Sequence, residues 1–210
     1  MTQIRSVALP TRRAGELGVH SLDHFDLTVP DLKVADHYYG AFGLDLHPQR
    51  ESLTVHTAGG SHCWGRISEG PRKKLNYLSF GAFADDVPAF KARLEALGVK
   101  LLDPPPGVDS AGLWFRNPDG LLIEIKVAEK SSPNEKSSID LSSAPAGAQG
   151  APKRSQVSLV RPRRLAHILI FTSDVGGAIK FYTRTLGLRL ADRSGTESRS
   201  CTASTAAIII

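Results

Sequence analysis

The chain has 210 residues, of which 41% are hydrophobic and 22% charged, and its formal net charge is +5. This is the balance of an ordinary globular protein of one to two domains, and it excludes a disordered polyelectrolyte. Two isolated cysteines, Cys63 and Cys201, exclude a disulfide framework and a CxxC metal or redox motif, and they fit a reducing, cytoplasmic setting.

Residues 1–20 read as a polar lead-in without the apolar core of a signal peptide. Residues 21–127 then alternate strand-like and helix-like patterns. Leu22–Val29 is predicted as a strand, and Pro30 and Asp31 end it and start a helix. On that helix Val34, Tyr38 and Phe42 recur at i, i+4 and i+8, beside Ala35 and Tyr39, which predicts one apolar face. Gly43 suits the left-handed position that closes a helix. Strands are predicted at Ser52–Thr57 and His62–Ile67, parted by the Gly59-Gly60 turn.

Leu75–Phe83 opens a second unit of the same kind. Asp85 or Asp86 can cap its helix, Pro88 suits the first turn, and Phe90, Leu94 and Leu97 form the predicted core face. Strands follow near Val99–Leu102, Gly112–Arg116 and Leu121–Val127, the last two joined by an Asn117-Pro118-Asp119-Gly120 turn. The predicted fold class is α+β, with paired βαβββ modules forming an open curved sheet or cup, followed by an incomplete second copy.

Residues 128–163 change character. Ser, Pro, Ala and Gly dominate, and Lys153, Arg154, Arg161, Arg163 and Arg164 crowd together without aromatic neighbours. A solvated linker fits this better than a nucleic-acid surface. No run approaches membrane-spanning length.

The most informative feature is an internal repeat. Leu22–Leu46 reads LDHFDLTVPDLKVADHYYGAFGLDL, and Leu165–Leu190 reads LAHILIFTSDVGGAIKFYTRTLGLRL. His24 matches His167, Asp31 matches Asp174, Ala35 matches Ala178, Tyr39 matches Tyr182, and Gly43 matches Gly187. A long-period repeat implies two copies of one architectural unit. Residues 164–193 are therefore predicted to begin a second βαβββ domain, its helix presenting Val175, Ile179, Tyr182 and Leu186, with a further strand starting at Gly187–Ala191.

The strings LDHFDLTVPDL, FRNPDGLLIEI and LAHILIFTSDV, with the βαβββ order, resemble the vicinal oxygen chelate superfamily of glyoxalases, bleomycin-resistance proteins and extradiol dioxygenases. Over 21–193 the chain is most similar to the two-domain type I extradiol dioxygenases, which cleave small aromatic diols in aromatic catabolism. That resemblance implies a metal-free N-terminal domain and a C-terminal domain holding Fe(II) through two histidines and one carboxylate, the facial arrangement that leaves room for diol and O₂. It places the first of those ligands at His167. The second His, the Glu and an acid–base His would lie beyond residue 190. On its own, a lone His on a strand is more often structural.

Single-domain members of the superfamily place two metal ligands where His24 and Glu124 stand, and the middle ligand would fall at Tyr77, after Asn76. Neither Tyr nor Asn is a good divalent-metal ligand, and His56 and His62 lie on other strands. Three readings stay open: an extradiol dioxygenase lacking part of its metal triad and inactive as written; a single-domain glyoxalase-type metalloenzyme using His24 and Glu124; and a non-enzymatic binding module lined by Trp64, Tyr77, Phe80 and Trp114. Oligomeric state also stays open, homo-oligomers included.

The tail, 194–210, departs from the pattern. An apolar strand is expected after Ser194, yet the chain reads GTESRSCTASTAAIII. Displacing the reading frame by one nucleotide permits a string with a His-His pair, so a single-base lesion near codon 195 is the expectation. The second unit's βαβ piece cannot bury its own apolar face and is expected to dock on the first domain, stay mobile or associate through its edges.

Overall fold

A computed structural model describes residues 15–131, 146–147, 150, 153, 155, 161–165 and 167–190, and the backbone of 206–209. Most of the expected linker 128–163 and tail 194–210 lies outside the described residues.

The first module is β1 (Ser21–Val29), α1 (Leu32–Ala41), β2 (Leu44–Pro48), β3 (Ser52–Thr57) and β4 (Gly65–Glu69). The second is β5 (Lys74–Ala82), a short 3₁₀ turn, α2 (Val87–Ala96), β6 (Leu113–Arg116) and β7 (Leu122–Val127). All seven strands form one open sheet in the order β2-β3-β4-β1-β5-β7-β6. Within each module the first strand pairs parallel with the last, β1 with β4 and β5 with β7, and the modules join through the antiparallel β1–β5 pair. The expected strand at Val99–Leu102 shrinks to a single bridge, Leu102 to Trp114. Pro104, Pro105 and Pro106 follow after Asp103 and cannot donate to a ladder.

Asp31 caps α1, its carboxylate accepting from the amides of Lys33 and Val34. Only part of the predicted apolar face of α1 is buried. Val34, Tyr38 and Phe42 are each more than 60% exposed, whereas Ala35 is buried and Leu32 and Tyr39 pack with it against Val29, Leu53, Val55 and Ile67. The predicted face spans two neighbouring stripes, and the sheet took the narrower one, whose small Ala35 lets the helix sit close. Asp86 occupies the N-cap of α2 but makes no side-chain capping bond; Pro88 lies in the first turn.

The repeat continues in β8 (Leu169–Thr172) and α3 (Val175–Leu186), with Asp174 capping α3 through the Gly177 amide at 2.8 Å. Of the options left open for this piece, docking is the one realised. Ile170, Ala178, Tyr182 and Leu186 join Leu78, Phe80, Phe90, Phe115, Ile123 and Ile125 in one buried cluster. The face used is Ala178, Tyr182 and Thr185, with Leu186; Val175 and Ile179 are only partly buried. The lead-in is also less peripheral than its polarity suggests. Leu17 and Val19 pack against the same cluster, and the Val19 amide donates to the Leu186 carbonyl. Residues 187–190 form no strand.

A strand after Ser194 does exist, β9 (Ala206–Ile209), antiparallel to β8. That pairing differs from the first module, where the equivalent strand β1 runs parallel to β4. The sheet-side opening of the linker is fixed as well: the Ser131 amide donates to Ser21 Oγ, and the His20 ring to the Ala128 carbonyl.

Candidate functional site: the concave face of the first domain

Strand alternation sends one set of side chains toward α2 and α3 and the other into the hollow of the sheet. On the helix side Phe25, Leu78, Ile123 and Phe115 stand in register across β1, β5, β7 and β6. One residue along, the hollow carries two parallel rows. The first is His24, Ser79, Glu124 and Trp114. The second is Arg66, Asp26, Tyr77, Leu122 and Arg116, which crosses five strands.

His24 and Glu124 thus share a row but stand two strands apart, with Ser79 between them. Glu124 is almost fully buried. Its carboxylate accepts from the Ser79 and Ser110 hydroxyls and not from His24. Gly112 leaves the room: a Cβ there would stand 2.6 Å from a Glu124 oxygen. His24 is engaged elsewhere. Its Nδ1–H donates to Asp23 Oδ2 at 2.7 Å, which leaves Nε2 to accept from the Tyr77 hydroxyl at 3.2 Å. His62 donates to the Asp23 carbonyl at 2.7 Å, and His56 bonds Thr54.

Electrostatics follow this geometry. Burial pushes the Tyr77 phenol well above its ordinary range, reinforced by the charges of Asp26 and Glu124. The phenol stays neutral, which makes it a hydrogen-bond donor and a poor metal ligand. Burial also lifts the Asp26 carboxyl, with the Asn76 amide working against it at 2.7 Å. Asp23 goes the other way: burial would raise it, but the His24 hydrogen bond and nearby positive charge hold it below its ordinary value.

Among the described residues no group of three or more His, Cys, Asp or Glu is arranged to hold a metal ion. His24 and Glu124 each spend their donor atoms on other partners. His167, the expected iron ligand, is exposed before β8 and offers one imidazole. The described donor set does not fit the Fe(II) that the sequence resemblance implies. Of the four aromatics expected to line a cup, Tyr77 and Trp114 meet edge-to-face in the hollow at 5.0 Å. Trp64 is buried beside His62. Phe80 is on the opposite side, in the core under α2 and α3, because it is one residue out of phase with Tyr77 and Ser79.

Sequence reasoning missed Ser79, Ser110, Asp26, Arg66 and Arg116. Ser79 and Asp26 could have been found by stepping two residues along β5 from Tyr77 and along β1 from His24. Ser110 and Arg66 could not, since their approach depends on loop path and on the parallel β1–β4 pairing.

The model of the glyoxalase/bleomycin resistance protein/dioxygenase superfamily matches residues 21–125 and 164–207. Metapyrocatechase 2 of Cupriavidus necator is 48% identical over 176 residues, covering 84% of this chain and 55% of that protein. The chain thus spans about half the length of the curated relative it matches. The 2,3-dioxygenase LapB of Pseudomonas sp. KL28 is 21% identical over 54% of this chain and 42% of its own, with a TM-score of 0.46. An extradiol ring-cleaving dioxygenase of B. fuscum is 20% identical over 56% and 35%, with a TM-score of 0.46. No helix among the described residues is long and apolar enough to cross a membrane. Both copies of the βαβ repeat lie inside the matched ranges, and with them the chain belongs to the glyoxalase/bleomycin resistance protein/dioxygenase superfamily.

Proposed function

We propose that this chain is the metal-free first domain, with the opening of the second, of an extradiol ring-cleaving dioxygenase acting on a small aromatic diol, and that Fe(II) is the cofactor of that enzyme. The observation that carries this reading is the 48% identity to metapyrocatechase 2 over 176 residues of the chain. The neutral Tyr77 at the middle-ligand position supports a first domain that holds no iron. His167 is proposed as the first of the three protein ligands. Ring cleavage inserts both atoms of O₂ and breaks a ring carbon–carbon bond beside the diol, and iron holds diol and O₂ together when bound. The described residues supply the scaffold and one imidazole, so the isolated chain is proposed to be inactive.

The polar run from Gly195 to Thr205, where the sequence resemblance leads us to expect an apolar strand, supports a displaced reading frame. Nucleotide sequence through and past these codons tests it. The expected result is a frame, shifted by one base, encoding a second His and a Glu in family order; no such frame in any register overturns the lesion. Metal analysis tests the domain assignment. After anaerobic incubation with Fe(II) and dialysis, the chain is expected to retain none and to show no oxygen uptake with catechol. One retained equivalent, lost in His24→Ala, would instead establish the single-domain metalloenzyme.

A further inference from the structure

We propose that the hollow of the first domain is a binding site for a small planar carboxylate, separate from the diol and iron chemistry. The basis is the five-strand row. Arg66 and Arg116 stand at its ends, Asp26 and Leu122 inside them, and Tyr77 at the centre. Four interstrand steps put the end Cα atoms roughly 19 Å apart, so two long guanidinium side chains can reach inward over the row.

The row forms the floor of a cleft of about 370 Å³, roofed by the loop at Pro105–Val108. That volume is in the range of small-molecule sites. Three cations line it, Arg66, Lys74 and Arg116, against one acid, Asp26. Asp26 is already engaged, accepting from Asn76 Nδ2 and lying in register beside Arg66. Arg116 and Lys74 are exposed and turned to the cleft, and the walls between are Leu75, Leu122 and Val108. A flat apolar body fits the slot between the Tyr77 row and the loop, and an anionic end meets the guanidinium of Arg116, whose geometry suits a carboxylate.

Benzoate and benzamide are the test pair, equal in shape and different in charge. Titration of the full chain, followed by amide NMR shifts and calorimetry, is expected to show saturable one-site benzoate binding with shifts at Gly107, Gly120 and Leu122. Benzamide is expected to bind about tenfold or more weakly, as is benzoate to Arg116→Ala and to Lys74→Ala. Lys74 is on the surface, so its variant remains informative if loss of Arg116 disturbs the Gly120 turn it bonds. Absence of saturation, equal affinity for the two probes, or unchanged affinity in both variants would overturn the site. No metal or diol enters the assay, so its outcome is independent of the dioxygenase assignment.

Discussion

Tyr182, in the second copy of the repeat, and Asn117, in the β6–β7 turn of the first domain, meet at 2.9 Å, the Asn117 side-chain amide donating to the phenolic oxygen. Asn117 is buried, and its own Oδ1 accepts from the Leu121 amide, so the turn before β7 and the helix α3 are fixed by one side chain. Tyr182→Phe keeps the ring and leaves that amide donor buried and unpaired. The expected cost is about 1–3 kcal/mol. Urea unfolding of the full chain, followed by circular dichroism, checks it; a loss under a few tenths would mean that water replaces the bond.

Gly187 closes α3 with φ +72°, and a Cβ there would stand 2.3 Å from the Leu17 carbonyl oxygen. Gly187→Ala therefore combines left-handed strain with a backbone clash, and the chain must move residues 17–18 off α3. The expected loss exceeds the roughly 1 kcal/mol of a simple glycine replacement. Hydrogen exchange at the Val19 amide, which donates to Leu186, should accelerate in this variant ahead of exchange in β5.

Much of this architecture was legible in the chain. Asp31 and Asp174 cap their helices because aspartate at that position can reach the free amides of the first turn. Gly43 and Gly187 repeat because both close a helix at positive φ. Burial was legible on α2, where Phe90 and Leu94 are buried as expected, but not on α1. Val34, Tyr38 and Phe42 satisfy helical spacing as well as Leu32, Ala35 and Tyr39 do, and only the position of the sheet decides between them. The site was half legible. His24, Tyr77 and Glu124 were singled out from the strands, but what each bonds depends on Asp23, Ser79 and Ser110. Those contacts come from the β1–β5–β7 register and the path of the 103–112 loop.

Glu124 illustrates the point energetically. A carboxylate this deeply buried is tolerated because two hydroxyls face it. Ser79→Ala removes a donor without opening a large cavity, since only a hydroxyl is lost. The expected destabilisation is about 1–3 kcal/mol, measured by chemical denaturation. Adding Mn(II) or Fe(II) should recover none of it; recovery would mean that the carboxylate is a metal ligand after all.

Asp23 and Asp26, three residues apart on β1, should pull stability in opposite directions with pH. Asp23 is held below its ordinary value near 3.8 by His24, so its contribution is fully present above that value and is lost as pH falls through the lower folded pKa. Asp26 is raised by burial, so the folded state binds its proton more tightly than the unfolded chain does. Its penalty is fully present above the folded pKa and vanishes below about 3.8. Asp26→Asn, which keeps an oxygen for the Asn76 donor, should therefore stabilise the protein at pH 7 and lose that advantage in acid. Asp23→Asn should destabilise at pH 7 and converge on the parent as the carboxylate of the parent becomes protonated. Denaturation midpoints for the three proteins between pH 3 and pH 7 check both signs. If Asp26→Asn is less stable than the parent at neutral pH, charge attraction to Arg66 outweighs burial, and the row across the hollow is held by its ions rather than in spite of them.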